Sequence, residues 1–460
     1  MPLSKYELTP FLWGTVMPTT AVDRAHNFLP WSVQETQDHA VEIAGGEGVC
    51  FWDSDGKRYL DLISQLFNVN LGHGNVAIIE AIEQQARRFC AASSAVMHAG
   101  RAQLGERLAQ ITPGDLCKAF FTNSGSEANE IAITMSRLMT GRQKVLAKYR
   151  SYHGTTLGTL TVCGDPRRMA VEPGPAGTVR FFDPFCYRCD FNLTHPDCAL
   201  HCANALEQQI VMEGPDSIAA LIIEPFTAAA GGFPTPPGYL QRVREICDRF
   251  GIVMIADEVI CGFGRTGTWF AVEHDGVVPD ILTVAKGITS GYVPMGAAIV
   301  NQRISEHFES QMLPIGCTYT GHPLACAAAL AAIDQYQELG AIQNSHQQGQ
   351  RLAEELEALK QCHEIIGDVR SRGLLACIEL VRDRDSKTPL VEFNTASPLV
   401  DQAKAEFAKR GLYVFMRWNQ IFLAPPLIIE SADLQAGLSG LEEVLNWIAA
   451  ETKQQSARSY

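Results

Sequence analysis

Val253-Met254-Ile255-Ala256-Asp257-Glu258-Val259 is an apolar strand that ends on two carboxylates, and Ile281-Leu282-Thr283-Val284-Ala285-Lys286-Gly287 is another that ends on a lysine. Runs this apolar on both faces belong to a parallel sheet covered on both sides. Residues 119–122, 145–149, 219–224 and 297–300 repeat the pattern, with helical stretches between them. Residues 71–330 are therefore read as one large α/β domain, a mostly parallel sheet sandwiched by helices. Before it, residues 1–70 carry an aromatic-rich arm (Phe11, Trp13, Phe28, Trp31) and a hairpin expected to turn at Asp55-Gly56. After it, residues 331–460 form a smaller α+β domain. Its amphipathic helices are expected over 350–359 and 432–452 and its strands over 376–381 and 421–424, with a further helix over 325–337 at the junction. The two flanking segments are expected to pack together.

The chain has 460 residues, 46% of them hydrophobic, enough to bury the core of a large domain and a companion. Its formal charge of -14 is spread along the sequence, and no Lys/Arg run offers a footprint for a nucleic-acid backbone. The start lacks a basic segment followed by an apolar one, and no apolar stretch reaches the ~20 residues that span a bilayer. A cytoplasmic protein without a membrane partner is expected. Several of the 14 cysteines lie in apolar or helical stretches and are read as reduced thiols.

Ligands of open α/β sheets sit outside the carboxyl ends of the strands. At one such end, Asn123-Ser124-Gly125-Ser126-Glu127 leads into a helix, with Ser124 and Glu127 spaced as a capping box, so free amides and the helix dipole would face an anion. Asp257 and Lys286 end strands of the same sheet. Ordinary solvated side chains are the simpler reading of either residue alone. Together, a desolvated lysine can act as an amine nucleophile, and a carboxylate can keep a pyridine nitrogen protonated as part of an electron sink. Anion cradle, lysine and carboxylate are the parts that pyridoxal 5'-phosphate requires, and no other primary amine is expected at this sheet edge.

The chain resembles the class III (ω-) aminotransferases of the fold-type I pyridoxal-phosphate enzymes over about residues 30–450. The resemblance is carried by Asn123-Ser-Gly-Ser-Glu-Ala-Asn-Glu, Tyr152-His-Gly-Thr-Thr, Ile223-Glu-Pro, Ile255-Ala-Asp-Glu-Val, Gly264-Arg-Thr-Gly, Lys286-Gly and Thr318-Tyr-Thr-Gly-His-Pro. It implies that Gly125 and Ser126 bind the cofactor phosphate, that Tyr152 and Val259 cover the two faces of the ring, and that Asp257 pairs with the ring nitrogen. It also implies that Lys286 forms the Schiff base and shuttles the substrate proton. Thr318 would reach the phosphate of a neighbouring subunit, in a homodimer with shared active sites or a tetramer built from such dimers.

Ornithine-type members carry an arginine just before the Phe-Ala-Pro-Pro segment, where this chain has Phe422. Arg417 lies near the place where amine:pyruvate members keep a mobile arginine. It is either the keto-acid clamp or a solvated surface residue. Trp31 and Phe67 either line the substrate pocket or fill core. If they line it, the donor is an amine, or an amino acid whose amino group is remote from its carboxylate or sulfonate, with taurine as an example and pyruvate as acceptor. Decarboxylation or amino-group migration on the same scaffold remains a second reading, and a non-catalytic scaffold a third. The latter is motivated by Cys186, Cys189, Cys198 and Cys202, whose spacing suggests a closed metal site. The chemistry above needs no metal, and reduced thiols are the default.

Overall fold

The computed structural model describes residues 19–34 and 41–458. Phe11 and Trp13 of the aromatic arm lie outside the described residues. The large sheet has seven strands in the order Leu116–Thr122, Gly296–Asn301, Ile281–Val284, Val253–Asp257, Ile218–Ile223, Lys144–Lys148 and Thr178–Phe181. Gly296–Asn301 runs antiparallel to both its neighbours, while the pairings from Ile281–Val284 out to Thr178–Phe181 are parallel. Every residue of Ile218–Ile223, Val253–Asp257, Ile281–Val284 and Gly296–Asn301 is buried. That explains their unbroken apolar sequences: helices cover both faces, and no side of the strand meets water. The edge strand Thr178–Phe181 buries only Phe181 completely, so it has no apolar run and escapes a reading based on hydrophobicity.

The first and last parts of the chain share smaller sheets. Ile43–Glu47, Cys50–Asp53 and Arg58–Asp61 form an antiparallel meander, onto which Leu412–Tyr413 adds in parallel. The hairpin turns where expected, because the Asp53 carboxylate accepts the N–H groups of Asp55 (3.1 Å) and Lys57 (2.8 Å). A five-stranded sheet built around Leu375–Asp383 packs with the helix Ala341–Cys362, and the last helix, Ser431–Arg458, packs on that helix and on Pro398–Lys409.

One buried guanidinium ties these parts to the large domain. Arg265 donates to the carbonyls of Leu374 (3.1 Å) and Pro425 (2.5 Å), to Ser64 Oγ (3.0 Å) and to Asn70 Oδ1 (2.7 Å). Burial pulls its pKa down to about 10, which leaves it charged at neutral pH. A neutral side chain there would strand four acceptors in the interior. Among the described residues no helix is long and apolar enough to cross a membrane.

Candidate active site

The carboxyl ends of the parallel strands open on one cavity of about 740 Å³, a size that suits a small-molecule site. Trp31, Phe67, Gly125, Ser126, Tyr152, Asp257, Val259, Lys286 and Arg417 all line it. Thr318 does not. It lies on an exposed turn before the helix Pro323–Glu338.

The helix Gly125–Thr140 begins at the cavity wall. Ser124 Oγ caps it by accepting the N–H of Glu127 (3.2 Å), but the Glu127 carboxylate reaches past Ser124 to the backbone and side-chain amides of Asn123 (2.7 and 2.9 Å). The reciprocal half of the expected capping box is therefore shifted by one residue. The N–H groups of Gly125 and Ser126, in the first helical turn, have no acceptor among the described residues. A Cβ at Gly125 would sit 2.8 Å from both methyls of Val259, so glycine is what lets the helix start approach the end of the adjoining strand.

Alternation along a strand separates the two carboxylates that follow Ala256. Asp257 faces the cavity. Its Oδ2 accepts from Asn129 Nδ2 (2.8 Å) and faces His153 Nδ1 (2.7 Å), while Oδ1 accepts the N–H of Val259 (3.1 Å). Asn129 is itself fixed by accepting Thr283 Oγ1 (2.6 Å) and donating to the carbonyl of His153 (2.8 Å). Glu258 turns away into the core, where burial pushes its carboxyl up to about 8. Asn129 and His153 were given no role in the sequence reading. They lie inside matched motifs, but nothing local signals that both converge on Asp257.

Lys286 stands at the cavity wall with φ 44°, in the left-handed region that a non-glycine residue occupies only under constraint. Burial lowers the pKa of its amine, opposed by the carboxylates of Asp257 and Glu224 and assisted by Arg167. Lys286 is not the sole amine at this edge, contrary to expectation. Lys148, the last residue of its strand, is fully buried, and its Nζ donates to Thr227 Oγ1 and to the carbonyl of Glu224 (3.2 Å). Lys148 does not line the cavity, so the two amines are distinguished by access.

The Tyr152 ring is covered on one side by the Arg167 guanidinium, 3.8 Å from the ring centroid, and its N–H donates to Glu224 Oε1 (3.0 Å). Phe67 is buried and lies near Phe415 and Phe422 (6.1 and 6.5 Å between centroids), so it both packs core and faces the cavity. Trp31 is exposed, with Arg167 5.6 Å from its ring.

Cys186, Cys189, Cys198 and Cys202 line a separate small cavity with His195 and His201. All four are free thiols, and burial pushes Cys202 up to about 12. Among the described residues no three His, Cys, Asp or Glu side chains are placed to hold a metal ion.

The wall of the large cavity fits pyridoxal 5'-phosphate: unpaired helix-start amides for the phosphate, a carboxylate held rigidly for a ring nitrogen, and a desolvated amine for the aldehyde. A mostly parallel seven-stranded sheet carrying such a cavity defines a fold-type I pyridoxal-phosphate enzyme. Within that class the match is to the aminotransferase class-III family over residues 32–445, and the chain belongs to it. It is a pyridoxal-phosphate-dependent aminotransferase, which sets aside both a decarboxylase or mutase and a non-catalytic scaffold.

Among its relatives, a taurine–pyruvate aminotransferase of Bilophila wadsworthia is 36% identical over 448 residues, covering 93% of this chain and 97% of the relative. The solved structure of a taurine:2-oxoglutarate aminotransferase from Bifidobacterium kashiwanohense, in complex with pyridoxal phosphate and glutamate, superposes with TM-score 0.90 at 36% identity, covering 93% of this chain and 97% of that one. An aminotransferase from Vibrio fluvialis gives TM-score 0.90 at 30% identity, covering 95% and 100%.

The desolvation of Lys286 has a measurable consequence. In cofactor-free protein methylated with 13C-formaldehyde, the Lys286 resonance should titrate below the ordinary lysine value of 10.5. Titration together with the exposed lysines would show that its amine is solvated.

Proposed function

We propose that this aminotransferase moves the amino group of an amine or ω-amino acid, with a taurine-like donor as the best fit, to pyruvate. The observation that carries the reading is a cavity with aromatic walls whose lining includes two arginines, Arg167 and Arg417. An aromatic wall suits an uncharged carbon body, and a guanidinium fork suits a carboxylate or sulfonate at its far end. Phe422, where ornithine-type members carry their clamp, is buried against Phe415 at 5.4 Å between ring centroids, so no α-carboxylate clamp is available from that position. The relatives named for taurine support the donor class, although one of them is named for 2-oxoglutarate as acceptor.

Bound pyridoxal phosphate supplies the electron sink that stabilises a carbanion at the donor's amine-bearing carbon. Gly125 and Ser126 would anchor its phosphate, Tyr152 and Val259 would enclose its ring, and Asp257, kept in place by Asn129 and His153, would hold a proton at the ring nitrogen. Lys286 Nζ would take the proton from the donor carbon and return it on the other side of the transfer. Its lowered pKa favours the free amine that takes the proton, and the ammonium so formed is the acid that gives it back. Trp31 and Phe67 would bound the donor's body, and Arg417 would grip the acceptor's carboxylate.

A panel of taurine, β-alanine, putrescine, 1-phenylethylamine and GABA against pyruvate and 2-oxoglutarate tests the substrate class, with taurine and pyruvate expected to give the highest kcat/KM. Arg417→Ala should raise the KM for pyruvate about ten- to a hundredfold, as expected for losing a charged hydrogen-bonded pair worth roughly 1.5–3 kcal/mol, and should affect 1-phenylethylamine much less. Equal effects on both substrates, or none, would remove Arg417 from the role of clamp.

We further propose a homodimer in which Thr318, exposed in the single chain, completes the partner's phosphate site. A cofactor that touches both chains stabilises their association by linkage. Sedimentation should therefore show weaker association on cofactor removal and in Thr318→Ala. An association constant indifferent to the cofactor would refute the shared site.

A further inference from the structure

Asp165 was not among the residues singled out in the sequence. Its side chain is fully buried, yet both of its ion-pair partners are arginines that line the cavity. Arg417 meets it as a fork, Nη1 to Oδ2 (2.6 Å) and Nη2 to Oδ1 (3.3 Å). Arg167 grips the same carboxylate through Nε to Oδ1 (2.8 Å), Nη2 to Oδ2 (3.2 Å) and its own N–H to Oδ1 (3.0 Å). Burial raises the carboxyl's pKa, but the bonds from Arg417 and then Arg167 outweigh that and hold it below the ordinary range. A single negative charge thus serves two positive ones.

The two arginines are secured differently. Arg167 comes from the same turn as Asp165 and is flanked by the rings of Tyr152 and Trp31. Arg417 arrives from the distant strand Phe415–Arg417, and its other contacts are the carbonyl of Ala229 (3.3 Å) and the ring of Trp418 (3.9 Å from the guanidinium). Its forked donors are the ones an incoming carboxylate or sulfonate would need. An anion must therefore compete with Asp165 for Arg417, whereas an uncharged amine leaves the pair intact.

We infer that Asp165 is a positioning residue that holds Arg417 retracted, and that it thereby sets how strongly the cavity favours anionic substrates over uncharged amines. The inference rests on the reading of Arg417 as the clamp for a carboxylate or sulfonate. Removing the charge should release Arg417 toward the cavity, because a neutral amide cannot hold a guanidinium against a carboxylate.

The test is Asp165→Asn, which keeps the shape and one oxygen acceptor, assayed as holoenzyme. KM for pyruvate and taurine should fall roughly tenfold while kcat/KM for 1-phenylethylamine stays level or drops, the pattern expected when a competing charge is removed. In an Arg417→Ala background the same substitution should no longer lower the anion KM. If it shifts both substrate classes equally, or acts alike in the two backgrounds, Asp165 only braces its turn and the inference falls. The clamp reading would then still stand on Arg417→Ala alone, and it fails separately if that variant leaves the anion KM unchanged. A measurement on the wild-type holoenzyme avoids any folding defect of the variant. Propionate, used as an inert anion, should change the Trp418 emission (the component missing in Trp418→Phe) as the guanidinium leaves its ring, and propylamine should not. An unchanged emission at saturating propionate would show that Arg417 stays on Asp165 and would overturn the inference.

Discussion

The site depends on the register between two parallel strands. Asp257 pairs with Thr283, and the chain then runs on through Val284 and Ala285 to Lys286, so carboxylate and lysine emerge beside each other at the same sheet edge. A slip of one residue would exchange the faces of Asp257 and Glu258 and put the acid in the core and its neighbour in the cavity. Asn129 resists such a slip. It donates to Asp257 and accepts from Thr283, which joins the two strands and the helix Gly125–Thr140 through one buried amide.

The surrounding structure holds conformations that would not persist alone. The left-handed backbone at Lys286 costs of order 1–3 kcal/mol and survives only because its neighbours determine it. The turn that follows is closed by the N–H of Gly291 on the carbonyl of Lys286 (3.3 Å) and by Tyr336 Oη on the carbonyl of Gly287 (2.8 Å). Burial then makes the amine readier to lose its proton, while the buried Arg265 clasp ties the flanking sheets to the domain that carries the cavity.

Much of this was legible in the sequence because burial on both faces leaves a continuous apolar run, and because the residues at the ends of such runs must meet at one edge. The central strands, the hairpin at Asp55-Gly56, and the meeting of the Gly125-Ser126 helix start with Asp257 and Lys286 were readable on those grounds, while Trp31, Phe67, Tyr152, Val259 and Arg417, which line the same cavity, were reached only through the family resemblance. What escaped was set by tertiary contact. The half-exposed strand Thr178–Phe181 has no apolar run. His153 and Asn129 approach Asp257 from 104 and 128 residues away, and Arg417 reaches Asp165 across 252. Lys148 looked like an ordinary strand residue, yet it is a second buried amine near the cavity.

That second amine makes one measurement decisive. Holoenzyme reduced with borohydride fixes the cofactor to whichever lysine holds it, and peptide mass mapping then reads the position. The pyridoxyl label should fall on the peptide containing Lys286, with Lys148 unmodified. Label on Lys148, or full labelling retained in Lys286→Ala, would contradict the account of the site given by the strand register.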